Sequence, residues 1–154
     1  MKKVLIGICL VFASATAIAC TTETKDKVPQ VVKDALAKKF PTAKKVDWEK
    51  ENKNEWEAEF KLNEVEYSAN FLEDGTWRET EHKIDKKDVP QNVILSLEST
   101  FPGYKIEEAE ISETAEGMFY EFEIEKGKSE IEVTINTFGK VIKKQTDKDK
   151  EDED

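Results

Sequence analysis

The stretch that decides the fold is VPQVVKDALAKKFP at residues 28–41, because it returns as VPQNVILSLESTFP at residues 89–102. At that offset of 61, Val28-Pro29-Gln30 meets Val89-Pro90-Gln91, Val32 meets Val93, Leu36 meets Leu97, and Phe40-Pro41 meets Phe101-Pro102. Seven identities in fourteen positions mark an internal duplication. After a three-residue insertion the correspondence resumes at offset 64. Trp56-Glu57-Ala58-Glu59-Phe60 then meets Tyr120-Glu121-Phe122-Glu123-Ile124, Glu66 meets Glu130, and Gly75 meets Gly139. The chain is a tandem pair of units of about sixty residues, repeat 1 at 28–86 and repeat 2 at 87–146.

Each unit opens with a helix. Pro29 and Pro90 suit the first helical turn, where a missing N–H costs nothing, and apolar residues follow at i, i+4 and i+8. Pro41 and Pro102 end it, because a proline pushes the preceding residue out of the right-handed helical region; each helix is expected to stop near Lys39 or Thr100. Beyond it the period switches to two, which predicts strands over 46–49, 56–62, 67–71 and 76–84 in repeat 1. Repeat 2 repeats the plan at 106–112, 118–124, 129–136 and 141–144. Asn52-Lys53-Asn54, Asn63-Glu64, Glu73-Asp74-Gly75 and Thr137-Phe138-Gly139 read as tight turns, so the pairing is antiparallel. The expected fold is α+β: two helix-plus-four-strand repeats forming an antiparallel sheet, with both helices packed on one face.

Composition narrows the function. The 154 residues leave room for one compact domain or two small units sharing a sheet, and none for a separate cofactor domain. Eight Phe, three Trp and three Tyr supply a modest core despite 38% charged residues, so wholesale disorder is not expected. The formal charge is −10. Nucleic acid and anionic lipid headgroups are poor partners for such a surface, whereas basic proteins, cationic peptides and divalent cations are electrostatically permitted. The same charge also serves solubility alone.

The first nineteen residues read as a secretory signal: a positive Met1-Lys2-Lys3, an uncharged apolar run, and small residues in Ala17-Ile18-Ala19 before a cleavage point. Cleavage would leave 22 basic side chains (24 less Lys2 and Lys3) against 34 acidic ones, a net charge of −12. Ala17-Ile18-Ala19-Cys20 also resembles a bacterial lipobox, in which the cysteine is lipidated and becomes the new N-terminus. Cys9 leaves with the signal, so Cys20 is the sole cysteine of the mature chain and no internal disulfide can form. Residues 20–27 then form a tether following a lipidated or simply N-terminal Cys20, and residues 147–154 form an acidic, disordered tail. The expected location is the periplasm or outer membrane of a bacterium as a lipoprotein, with soluble secretion as the alternative.

Alternation assigns Glu57, Glu59, Glu66, Glu121, Glu123, Glu125, Glu130 and Glu132 to the solvent side of the strands, relieved by Lys61, Arg78, His82 and Lys126 or their neighbours. From this set Glu57, Glu59, Arg78, Glu121, Glu123, Glu130 and Glu132 are the candidate partner-binding face, an acidic platform on which charge would set on-rate and specificity. The plainer reading is that a sheet covered on one side must be polar on the other. Trp56 shares its parity with Ala58 and Phe60 and belongs to the core, while Trp48 and Trp77, nearer strand ends, are the candidate exposed aromatics. One histidine, His82, with no cysteine inside the repeats excludes a zinc site and a cysteine–histidine pair. No serine carries a nucleophile-elbow motif, no calcium-loop motif is present, and nothing calls for a cofactor. The chain reads as a non-enzyme.

The repeated V-P-Q-x-V…L…F-P opening, the W-E-x-E and Y-E-F-E strands and the D-G-x-W hairpin resemble the PepSY-like, beta-lactamase-inhibitor-like family of small bacterial periplasmic proteins and lipoproteins. The likeness spans 28–144. It implies two helix-plus-four-strand repeats in one continuous sheet whose concave polar face clasps a protein, and, for PepSY-type modules, restraint or regulation of peptidases. Inhibitory proteins of that type carry disulfides that this mature chain cannot form, so lactamase inhibition does not transfer. The expected function is an envelope-located module that binds a protein or peptide of basic character, as an inhibitor or regulator of a periplasmic enzyme; the alternative is a small-ligand or cation-binding envelope protein.

Overall fold

The computed structural model describes residues 27–146; the signal segment, Cys20 and most of the tether, and the acidic tail lie outside the described residues. Two helices and eight strands follow in the order α1 (Gln30–Lys39), β1 (Lys44–Asn52), β2 (Glu55–Leu62), β3 (Val65–Leu72), β4 (Trp77–Lys83), α2 (Gln91–Thr100), β5 (Lys105–Thr114), β6 (Gly117–Lys126), β7 (Ser129–Asn136) and β8 (Val141–Thr146). A short 3-10 turn at Lys86–Asp88 joins the units. The strands make one antiparallel sheet in sequence order from β1 to β8. It crosses from one repeat to the other at the β4–β5 ladder, where Glu79 faces Thr114 and Lys83 faces Glu110.

The two units agree at the level of caps and bulges. Pro29 and Pro90 sit at the N-cap, one residue outside the first turn expected for them, with extended ψ of 144° and 138°. Their carbonyls accept the first helical N–H groups, from Val32 at 3.2 Å and Val93 at 3.0 Å. At the other end Phe40 and Phe101 leave the helix at φ −127° and −123°, and each N–H closes the last turn on Leu36 and Leu97. In β4 the register jumps so that Phe71 faces Trp77 while Asn70 faces Glu79, which leaves Arg78 as a bulge. In β8 the same jump leaves Ile142, with Ile135 facing Val141 and Thr134 facing Lys143.

Two buried clusters hold the sheet. Val32 and Leu36 of α1 close over Trp56, Ala58, Phe60, Ala69 and Phe71. Val93, Ile94 and Leu97 of α2 close over Tyr120, Phe122, Ile124, Ile131, Val133 and Ile135 among others. The alternation is strict: β7 runs exposed, half-buried, buried, half-buried, buried through SEIEVTIN. Phe71, Phe122 and Ile135 are at most 2% exposed, and burying a side chain of that size stabilises by roughly 1.5–3 kcal/mol. The β2–β3 turn takes Asn63 and Glu64 through φ of +49° and +67°, the double positive φ of a type I′ hairpin that matches strand twist.

The turn glycines shared by the two repeats each meet the helix of their own unit. Gly75 and Gly139 hold φ of +85° and +84°, and a methyl group on either would come to 3.0 Å of the Val31 carbonyl oxygen or 3.2 Å of the Asn92 carbonyl oxygen. The shared Gly at offset 64 is therefore where the β3–β4 and β7–β8 turns fit beneath the first turns of α1 and α2.

Candidate binding face

Residues flanked by buried neighbours on a strand must point away from the core, and cross-strand register then ties them into rows. Glu57 lies between buried Trp56 and Ala58, and its row runs through Asn70 and Glu79 to Thr114. Glu59, between Ala58 and Phe60, leads through Ser68, Glu81 and Ser112 to Phe119. Glu121 aligns with Glu110 and Lys83 on one side and with Thr134 and Lys143 on the other. Glu123 aligns with Glu108 and Glu132, and Glu125 with Glu130.

Glu57, Glu59, Glu121, Glu123, Glu130 and Glu132 thus occupy neighbouring rows. Arg78 sits in the β4 bulge at their margin, in a concavity of about 360 Å³ shared with Glu51, Asn70, Trp77, Glu79 and Thr114. Lys61 is in the rows and pairs with Glu66 at 3.0 Å. His82 is not: it aligns with Ile111 and its ring lies 4.6 Å from that of Tyr67, so burial holds the imidazole below its ordinary pKa. Lys126 also leaves the set, donating to the Pro102 carbonyl at 3.0 Å beside the Tyr104 ring. Its parity differs by one from Glu125, which suffices to send it to the other side. Trp48 and Trp77 are both half-buried against the first cluster. Trp77 donates its indole N–H to Thr80 at 2.8 Å and lies 3.5 Å under the Lys39 ammonium.

The most concentrated chemistry joins Glu121 to two residues that alternation does not single out. Glu79 and Glu81 of β4, with Glu121 of β6, bring carboxylate oxygens within 4.8 Å of one another. Ser112, fully buried, donates its hydroxyl to Glu79, Ser68 donates to Glu81 at 3.5 Å, and Thr134 to Glu121 at 3.4 Å. Burial first, and then the surrounding carboxylates, raise Glu81 to about 8 and Glu57 to about 7. Burial, with Glu108 next, does the same to Glu110, to about 7, although Lys83 counteracts. Glu121 is also raised, by burial and then Glu79, against the pull of Thr134 and Lys143. A second concavity of about 260 Å³ opens over Glu79, Glu81, Glu110, Glu121, Glu123 and Lys143, and Glu79 lines both hollows. Crowding by neighbouring carboxylates therefore adds to burial in disfavouring ionisation of Glu81 and Glu121. The sequence signal for Glu79 and Glu81 was present in RETEHK; what was hidden is that β4 is a central strand of the sheet.

The family description "Putative beta-lactamase-inhibitor-like, PepSY-like" matches residues 21–68 and 54–143. The chain belongs to that PepSY-like family. Solved structures with the same fold include a protein from Bacteroides eggerthii described as "putative periplasmic", at TM-score 0.70 and 20% identity over 79% of this chain and 90% of that one. A BLIP-like protein from Bacteroides fragilis superposes at TM-score 0.67 and 19% identity, covering 77% and 86%. A DUF2874 family protein from Bacteroides uniformis gives 0.69 and 18%, covering 77% and 88%. No curated protein matches the chain. At these identities the structures establish the fold of this PepSY-like protein. No helix among the described residues is long and apolar enough to cross a membrane.

Proposed function

We propose that this PepSY-like protein is an exported, non-enzymatic binding module of the bacterial envelope. It takes a basic protein or peptide onto the sheet face bearing Glu57, Glu59, Glu121 and Glu123, with Glu130, Glu132 and Arg78 at the rim, and so inhibits or regulates a periplasmic enzyme. The observation that carries this reading is the run of acidic rows across both repeats, with two hollows meeting at Glu79. A helix-free face is part of the reading. Thr80 and His82 share one side of β4; Thr80 faces Ala69 of the first cluster and His82 faces Ile111, in one row with Tyr120 and Ile135 of the second, which supports both helices lying on the side away from the glutamates. The family description and the BLIP-like neighbour support a protein as partner. Attachment through a lipidated Cys20 belongs to the same proposal.

Low-salt capture from a bacterial envelope extract, with the mature protein as bait, is the test. A specific partner should be retained by the parent and lost when Glu57, Glu59, Glu121 and Glu123 are all changed to lysine, because complementary charge governs encounter. Retention by the charge-reversed bait would remove this face from consideration. Saturable calorimetric binding of calcium, with no protein captured, would replace the reading by a cation-binding one.

A further inference from the structure

The two buried clusters are separate, one per repeat, and the sheet passes between them at the β4–β5 ladder. The side chains standing on that ladder therefore decide how firmly the repeats are joined. On one side they are Thr80 and Glu113, and His82, packed against Tyr67, with Ile111; Ile84 donates its N–H to Ala109. On the other side Glu79, Glu81 and Glu110 stand with Thr114, Ser112 and Lys83, and Glu121 of β6 reaches in beside them.

We propose that the seam between the repeats is a proton-operated joint, tightened when the carboxyls gathered over it share protons and loosened when all of them ionise. The geometry carries this. Glu79 and Glu81 from β4 and Glu121 from β6 reach across β5 to within 4.8 Å of one another, and like charges at that distance repel, which opposes full ionisation of the cluster. Ser112 of β5 donates to Glu79 across the ladder, so the cluster is built into the seam and cannot swing away without breaking that bond. Glu110 of β5 stands beside Lys83 and Glu121, and Glu57 and Glu59 of β2 lie beyond Ser68 and Asn70 of β3. Glu49 and Glu51 of β1 add to the field at Glu57, as Glu132 of β7 does at Glu121.

Cations answer only part of this charge. Lys83 pairs with Glu108, and Lys143 of β8 acts on Glu121. His82 lies on the far side with its pKa lowered by burial, a shift whose linkage runs opposite to that of the carboxyls.

The sign follows from linkage. A carboxyl that ionises later in the closed state than in the open one favours closure below its open-state pKa, and this advantage is lost as pH rises towards its closed-state value. The raised values at Glu110, about 7, and Glu81, about 8, put the loss between about 4.5 and 8, with its final part in the physiological range. The proposal does not depend on any partner using this face.

Hydrogen exchange on the full mature chain tests it. After correction for intrinsic base catalysis, protection of amides in 79–83 and 110–114 should fall by at least about tenfold between pH 6 and pH 9, given up to tenfold per pH unit for each proton linked. Amides of the β2–β3 and β6–β7 ladders, inside each repeat, should keep their protection within about twofold. Glu81→Gln, or Glu121→Gln if the first variant does not fold, should flatten the pH dependence at the seam. Seam protection that is constant with pH, that falls in step with the other ladders, or that falls equally in the folded glutamine variant would overturn the joint.

Discussion

Replacing Gly75 by alanine adds one methyl group where the β3–β4 turn meets the first turn of α1. Two costs follow. At φ +85° an L side chain is strained, by roughly 1–2 kcal/mol. The new carbon would also stand 3.0 Å from the Val31 carbonyl oxygen and 3.1 Å from its Cγ2, so helix and turn must separate, and overpacking of that kind costs about 1–3 kcal/mol. The narrower unfolded ensemble of alanine returns about 0.4–1 kcal/mol, leaving a net loss of about 2–4 kcal/mol. Gly139→Ala meets the Asn92 carbonyl at 3.2 Å and the Ser96 Cβ only at 3.5 Å, and should lose about 1–2 kcal/mol. Gly127, at φ +69° with nothing within 4 Å of the added carbon, pays the dihedral alone. Urea unfolding of the three variants should therefore rank Gly75→Ala as the most destabilised, then Gly139→Ala, then Gly127→Ala. Equal losses in all three would mean that the contact between turn and helix contributes nothing and that only backbone strain was read.

Two further outcomes follow from burial and from the N-terminal segment. Phe71, fully buried in the first cluster, should cost about 3–5 kcal/mol as alanine, whereas Phe138, 89% exposed at the β7–β8 turn, should change stability by less than about 0.5 kcal/mol; chemical denaturation of both separates core from surface aromatics. Growth with radioactive palmitate should label the parent protein and not Cys20→Ala, and an unlabelled parent would assign release as a soluble protein instead.

Phe138 also shows why side-chain parity is a better guide than side-chain type. It occupies the place of Asp74 in the first repeat, outside any strand, and is left in solvent, while Phe119 enters the acidic row behind Ser112 because its position on β6 requires it. Similar physics moved His82 and Lys126 off the acidic side. Both lie one residue from a member of the polar rows, and a one-residue step on a pleated strand reverses the side chain. Arg78 escapes parity altogether because a bulge takes its backbone out of register.

The duplication was legible because both copies must make the same local structures: prolines that bracket the helices, apolar residues at helical spacing, period-two strands, and the shared Gly75 and Gly139 where a turn at positive φ meets a helix. The burial of Trp56, Phe60, Tyr120 and Phe122 follows from the same alternation. These are local properties, written in residues a few positions apart. Tertiary structure alone decided which strands are central. β4 closes the first repeat just as β8 closes the second, but β8 ends at the sheet edge with Lys143 and Gln145 where β4 carries Glu79 and Glu81 into the middle. Neighbours supplied by β5 and β6, from the other copy, bury those carboxyls and bring Glu121 to them. Proximity between residues forty positions apart depends on how the two halves join, and no local period records it.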